Sequence, residues 1–166
     1  MSPQDVVVLL KIITYGNRPW LQKPLAEELF MSQSEVSKSI ARSRFAGLID
    51  PSGKQVRRLA FFELLKYSVA YVFPQQPGAV VRGVPTSHSA PPLNNIINSS
   101  ENYVWPWGKG KVRGQSIIPL YPSVVDAALH DPKLYEMLAL TDALRVGKAR
   151  EKELAIQELK TRILND

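Results

Sequence analysis

Six basic side chains fall within residues 32–58, Lys38, Arg42, Arg44, Lys54, Arg57 and Arg58, against two acids, Glu35 and Asp50. A local excess of this kind is the electrostatic footprint of a surface that binds phosphates. The other residues with chemical potential do not assemble. His88 and His130 stand 42 positions apart, with no cysteine or carboxylate cluster at ligand spacing, so no metal site is expected. Ser87-His88-Ser89 sets nucleophile and base types side by side, but adjacent residues rarely face each other, and no Gly-x-Ser-x-Gly elbow is present. Gly108-Lys109-Gly110-Lys111 lacks the spacing and the strand–loop–helix setting of a phosphate-binding loop and reads as a hairpin turn. Trp105 and Trp107, flanked by Lys109, Lys111 and Arg113, could stack on single-stranded bases, but packing of the rings into a lobe of their own is the stronger reading. No catalytic residue, cofactor or metal is expected, and the chain is not read as an enzyme.

Composition agrees with a binding role. The 166 residues carry a net charge of +6, with 45% hydrophobic and 22% charged residues, as in an ordinary globular protein. The charge favours an anionic partner. Cysteine is absent, which excludes disulfides and thiolate metal sites and fits a reducing compartment. No stretch approaches the roughly 20 apolar residues of a membrane span. The opening Met-Ser-Pro-Gln-Asp has no basic-then-apolar pattern, so no signal peptide is expected and the location is read as cytoplasmic.

The basic segment must be held by helices. Ser2 as N-cap, Pro3 at the first position and Asp5 in the first turn start a helix that buries Val6, Leu9, Leu10 and Ile13. Gly16-Asn17-Arg18-Pro19 ends it. A short helix over about 24–30 turns Leu25, Ala26 and Leu29 inward. Ser32 and Glu35 form a capping box for a third helix, with Val36, Ile40 and Ser43 on one face and Gly47 at its end. Residues 48–57 predict a small hairpin around Pro51-Ser52-Gly53-Lys54. Leu59 to Phe73 is apolar around most of a helix, which predicts burial on most sides or a place in a dimer interface. Residues 74–122 are rich in proline and glycine and predict an extended lobe, with strands at 79–84, 102–107 and 111–118. Helices resume at 123–130, after the Asp131-Pro132 cap, and from Gly147 to Leu164. The expected fold is mainly α with a small β component, organised as 1–73, 74–122 and a C-terminal helical region 123–166, a candidate for dimerisation.

Residues 22–49 resemble winged helix-turn-helix regulators of the MarR-like type. Leu25-Ala26-Glu27-Glu28-Leu29, a short turn, then Ser32-Gln33-Ser34-Glu35-Val36-Ser37-Lys38-Ser39-Ile40 carry the likeness. Two positions depart from the pattern: Ser43 stands where a large aliphatic residue is usual, and Phe45 points away from Val36. Either the helix packs differently from the family or Phe45 meets another part of the protein. The resemblance implies that the third helix enters the major groove, with Ser34, Lys38 and Ala41 outward and Gln33, Ser37 and Arg42 flanking. Lys38 would read guanine and Gln33 adenine or a phosphate, while Arg44, Lys54, Arg57 and Arg58 would hold phosphates. It implies a sequence-specific, double-stranded DNA-binding transcriptional regulator, a repressor; because one short helix reads few base pairs, a homodimer on a palindrome is expected, through the helix at 59–73 or that at 147–164. The alternative is an antitoxin-like or adaptor protein that binds a second protein through residues 74–166. A small-molecule sensor is a weaker third reading.

Overall fold

The computed structural model describes residues 1–165; Asp166, the end of the expected C-terminal region, lies outside the described residues. The chain is mostly helical with a small three-stranded sheet. In order it runs through helix α1 (Pro3–Thr14), α2 (Gln22–Leu29), α3 (Gln33–Phe45) and α4 (Arg58–Val72). Strand β1 (Val80–Pro85), single 3₁₀ turns at Ser87–Ser89 and Leu93–Asn95, β2 (Tyr103–Pro106) and β3 (Val112–Ser116) follow, then α5 (Val124–Leu129), α6 (Pro132–Val146) and α7 (Ala149–Leu164). Among the described residues no helix is long and apolar enough to cross a membrane.

The helix starts follow the capping chemistry. Asp5 Oδ2 accepts the Ser2 amide at 2.8 Å, and Ser32 Oγ accepts the Glu35 amide at 3.1 Å. Asp131 Oδ1 accepts the Leu134 amide at 3.1 Å, with Pro132 at the first position. α2 ends on Phe30 in the left-handed region, φ 55°. That conformation turns the chain sharply enough for two residues, Met31 and Ser32, to lead into α3.

One apolar core draws on every helix and on β1 and β2, from Val6 to Ile163. α1 is buried from Gln4 to Ile13, with α2 and α3 on one side and α6 on another. α4 packs on α6 and α7 through Phe61, Phe62, Leu65 and Val69.

In the sheet, β1 pairs antiparallel with both other strands, taking β3 along Val80–Gly83 and β2 along Gly83–Pro85. β2 and β3 pair in parallel at Tyr103 and Val104, which closes the ring. The ring closes only because Gly83 has no side chain: a Cβ there would overlap the Trp105 carbonyl. The sheet is fastened to the helices at Asp142 on α6. Its Oδ2 accepts Thr86 Oγ1 and Trp105 Nε1, both at 2.7 Å, and its Oδ1 accepts Arg145 at 2.8 Å. Arg145 also donates to the carbonyls of Phe73 (2.9 Å) and Ile118 (3.2 Å).

Two expectations change. The hairpin at 48–57 reduces to a single bridge, Ile49 to Val56, because Asp50 gathers the turn into itself instead of extending a ladder. α4 is not buried on most sides: Leu59, Tyr67, Tyr71 and Val72 remain exposed, since α6 and α7 cover one face only.

Candidate nucleic-acid interface

α3 divides into two rows. Its inner row, Val36, Ile40 and Ser43, is buried, and Ser39 joins it. Successive side chains at i, i+4, i+7 and i+11 share a face, so Ser34, Lys38, Ala41 and Phe45 form the opposite row, and all four are exposed. Gln33 and Ser37 lie exposed beside them. Lys38 makes no ion pair among the described residues.

Asp5 fixes how α3 sits. This carboxylate is fully buried and accepts Ser39 Oγ at 2.7 Å and Arg42 at 2.8 to 3.2 Å. Arg42 also reaches Gln4 Oε1 at 3.1 Å. The hydrogen bond it donates to Asp5 raises the Arg42 pKa above its already high value, against the opposing effect of burial. Arg42, expected at the flank of the groove face, is therefore drawn back onto α1; a buried carboxylate needs a partner more than a surface arginine needs solvent.

Ser43 is buried, and its carbonyl takes the amides of Leu48 (2.9 Å) and Ile49 (3.3 Å) as the chain doubles back. Phe45 packs on no other part of the chain among the described residues: it is 96% exposed.

The turn after α3 is built on Asp50. Its Oδ1 accepts Ser52 Oγ at 2.6 Å and the amides of Lys54 and Gln55 at 3.3 and 3.2 Å. These bonds, that from Ser52 first, hold the Asp50 carboxyl below its ordinary pKa. Arg44 donates to the Pro51 carbonyl and braces the turn from below. Lys54 and Arg57 remain exposed. Arg58, expected on phosphate, donates instead to the Ile163 carbonyl at 3.0 Å and is half-buried, because the C-terminus of α7 presents open carbonyls beside it.

The structure thus keeps Gln33, Ser34, Ser37 and Lys38 on one outward face, with Lys54 and Arg57 exposed at the turn and in no ion pair among the described residues. It commits Arg42 and Arg58, and partly Arg44, to the fold. It also adds two residues the sequence reading passed over. Arg18 and Trp20 line a cleft of about 610 Å³ with Lys54, Gln55 and Arg58, and Trp20 Nε1 donates to the Lys54 carbonyl at 2.9 Å. A basic residue and an aromatic directly after the α1 turn were the available signal, but 34 residues separate Trp20 from Lys54.

The remaining candidates sit elsewhere. His88 is buried, with Nε2 2.7 Å from the Glu101 carbonyl and Nδ1 3.0 Å from Glu151, the latter off the line of a hydrogen bond. Ser87 beside it is buried in the left-handed region, φ 56°. His130 is exposed against Phe30, ring centroids 5.4 Å apart. Trp105 is a core residue and Trp107 is half-buried, so the two rings form no stacking platform. Among the described residues no group of three His, Asp or Glu side chains is placed to hold a metal. In comparison with known proteins, no family model, curated protein or solved structure matches the chain.

Proposed function

We propose that the chain is a winged helix-turn-helix regulator of transcription that binds a specific double-stranded DNA site in the cytoplasm, as a homodimer and as a repressor. One observation carries the reading: a capped helix, held from behind by an ion pair to the buried Asp5 carboxylate, offers Gln33, Ser34, Ser37 and Lys38 on one exposed face, with Lys54 and Arg57 exposed at its flank.

In this reading the N-terminal half of α3 lies deepest in the major groove. Ser34, Ser37 and Gln33 reach base edges, and Lys38 takes the acceptors of a guanine. Phe45 closes the row with an apolar ring suited to a thymine methyl or the sugar wall. Lys54, Arg57 and Arg18 lie on phosphates, which set register without reading sequence. Two copies on a palindrome double the contacts of one short helix. A protein seated in the groove also excludes other proteins from that DNA, which is repression by occupancy.

The test is a mobility-shift titration with the DNA upstream of the protein's own gene and an unrelated competitor. Ser34→Ala with Lys38→Ala should weaken specific binding by about 1–3 kcal/mol and leave competitor binding nearly unchanged. Equal affinity for both DNAs in the unaltered protein would instead favour the adaptor reading through residues 74–166.

A further inference from the structure

α4 has two faces, and only one is used. Phe61, Phe62, Leu65 and Val69 face α6 and α7. On the opposite side Leu59 is 59% exposed, Tyr67 63% and Tyr71 83%. Ala60, Glu63, Lys66 and Ala70 complete that side at helical spacing. Glu63 and Lys66 make no ion pair among the described residues, and Lys66 Nζ rests 5.0 Å from the Tyr67 ring centroid. α7, the other candidate for a dimer contact, turns Ala155, Leu159 and Ile163 into the core, and its exposed positions include Arg150, Glu153, Gln157 and Lys160.

We propose that the outward face of α4 is a self-complementary interface on which a second copy of this chain docks, α4 against α4, antiparallel about a two-fold axis. The order of side chains along the face supplies the argument. A two-fold axis crossing the helix at the level of residue 65 sets positions the same distance before and after it against each other. Leu59 then stands level with the partner's Tyr71, and Ala60 with the partner's Ala70; because Leu59 and Tyr71 lie about 120° apart around the helix, on opposite edges of the face, Leu59 packs beside the partner's Ala70 and Tyr71 beside the partner's Ala60. Glu63 stands level with the partner's Tyr67, one residue's rise from the partner's Lys66, so two ion pairs form from charges that make none among the described residues of one chain. A different protein would have to bring both charges and both small residues in this order; a second copy brings them by symmetry. The inference rests on the reading of the chain as a symmetric DNA reader for its expectation of a pair, and names the surface that makes it.

A helix of this length spans about 22 Å, and the face would bury on the order of 1,000 Å² in total, the low end for specific association. The dimer is therefore reversible, with a dissociation constant in the micromolar range. Sedimentation velocity on the full chain across that range should show a monomer–dimer equilibrium. Glu63→Lys and Lys66→Glu each set like charges against each other and should weaken it about tenfold or more. Glu63→Lys with Lys66→Glu in the same chain reverses both partners and should restore it. Both positions are exposed, so thermal unfolding of the unpaired chain should not change. The chain has no cysteine, so a mixture of Leu59→Cys and Ala70→Cys chains should form a mixed disulfide dimer on mild oxidation, while neither forms one alone. A chain that stays monomeric, single reversals without effect, or a double reversal that fails to restore association each overturns the proposal. Mobility shifts run on the same samples separate the two readings. Specific DNA binding by a chain that never dimerises defeats this inference and the homodimer with it, and leaves the DNA reading standing. A dimer that follows the charge pattern but prefers no DNA defeats the DNA reading alone.

Discussion

Asp5 and Asp142 are both carboxylates removed from water, and each takes an arginine, yet they organise their surroundings on different scales. Asp5 gathers partners from α1 and α3 only: the Ser2 amide, Ser39 and Arg42. It pins one helix onto another and so sets which row of α3 faces out. Asp142 joins α6 to the residue after β1, to the middle of β2 and, through Arg145, to the end of α4 and the segment after β3. The first acid aims a helix and the second assembles the fold. The lesson is that a buried charge has as much structural reach as its partners have separation in sequence.

The largest effect should come from the wider network. Asp142→Ala leaves Trp105 Nε1, Thr86 Oγ1 and the Arg145 guanidinium buried without their acceptor, and should cost about 3–5 kcal/mol. For a chain of this size that lowers the melting temperature by roughly 10 °C. A loss below about 1 kcal/mol in calorimetry would remove Asp142 from its place as the junction.

Arg42→Ala comes next. It strands Asp5, but the Arg42 side chain is 38% exposed, so water relieves part of the penalty. The expected cost is about 2–3 kcal/mol in denaturant unfolding, with any loss of DNA binding recovered by working well below the melting temperature. A variant of full stability that no longer binds would show that Arg42 leaves Asp5 for phosphate, and the comparison would fail on that side.

The outward row should behave in the opposite way. Ser34→Ala with Lys38→Ala, or Phe45→Ala alone, should leave stability within about 0.5 kcal/mol, because these side chains support nothing inside the chain. Their effect should appear only in DNA affinity. At the flank, Lys54→Ala with Arg57→Ala should weaken binding to every sequence and flatten its salt dependence by about one unit per lost phosphate contact.

The smallest expected effect is a pH dependence of the Asp50 turn. Its carboxyl titrates below the usual value in the folded chain, so its contribution is complete above the ordinary carboxylate range. That contribution is lost only as pH falls through the depressed value. Hydrogen exchange of the Lys54 and Gln55 amides should stay slow at neutral pH and show loss of protection only in acid. Loss of protection near pH 6 would assign the turn to some other group.

Local signals carried much of this in the sequence. Ser32 with Glu35, Asp131 with Pro132, and the apolar spacing of Val36 and Ile40 each specify an element within a few residues, and each element lies where that spacing puts it. The three strands fall within two residues of their expected bounds for the same reason. What stayed hidden is pairing at a distance. Nothing near Arg42 announces that Asp5 will claim it from 37 residues away, nor near Arg58 that the Ile163 carbonyl, 105 residues on, will do the same. Composition counts both as cations free for phosphate; only the folded chain shows that they are already bound.

The covering of α4 by α6 and α7 also sets a timetable. During synthesis the face carrying Phe61, Leu65 and Val69 emerges about 90 residues ahead of the end of the last helix that shields it. At the usual pace of a ribosome that interval is about 5–20 s, far longer than a helix needs to form. For those seconds the finished N-terminal helices wait with an apolar flank in water. Through that interval the nascent chain is the form most exposed to chaperones and to aggregation, and a slower codon run after α4 would lengthen the wait without changing a residue.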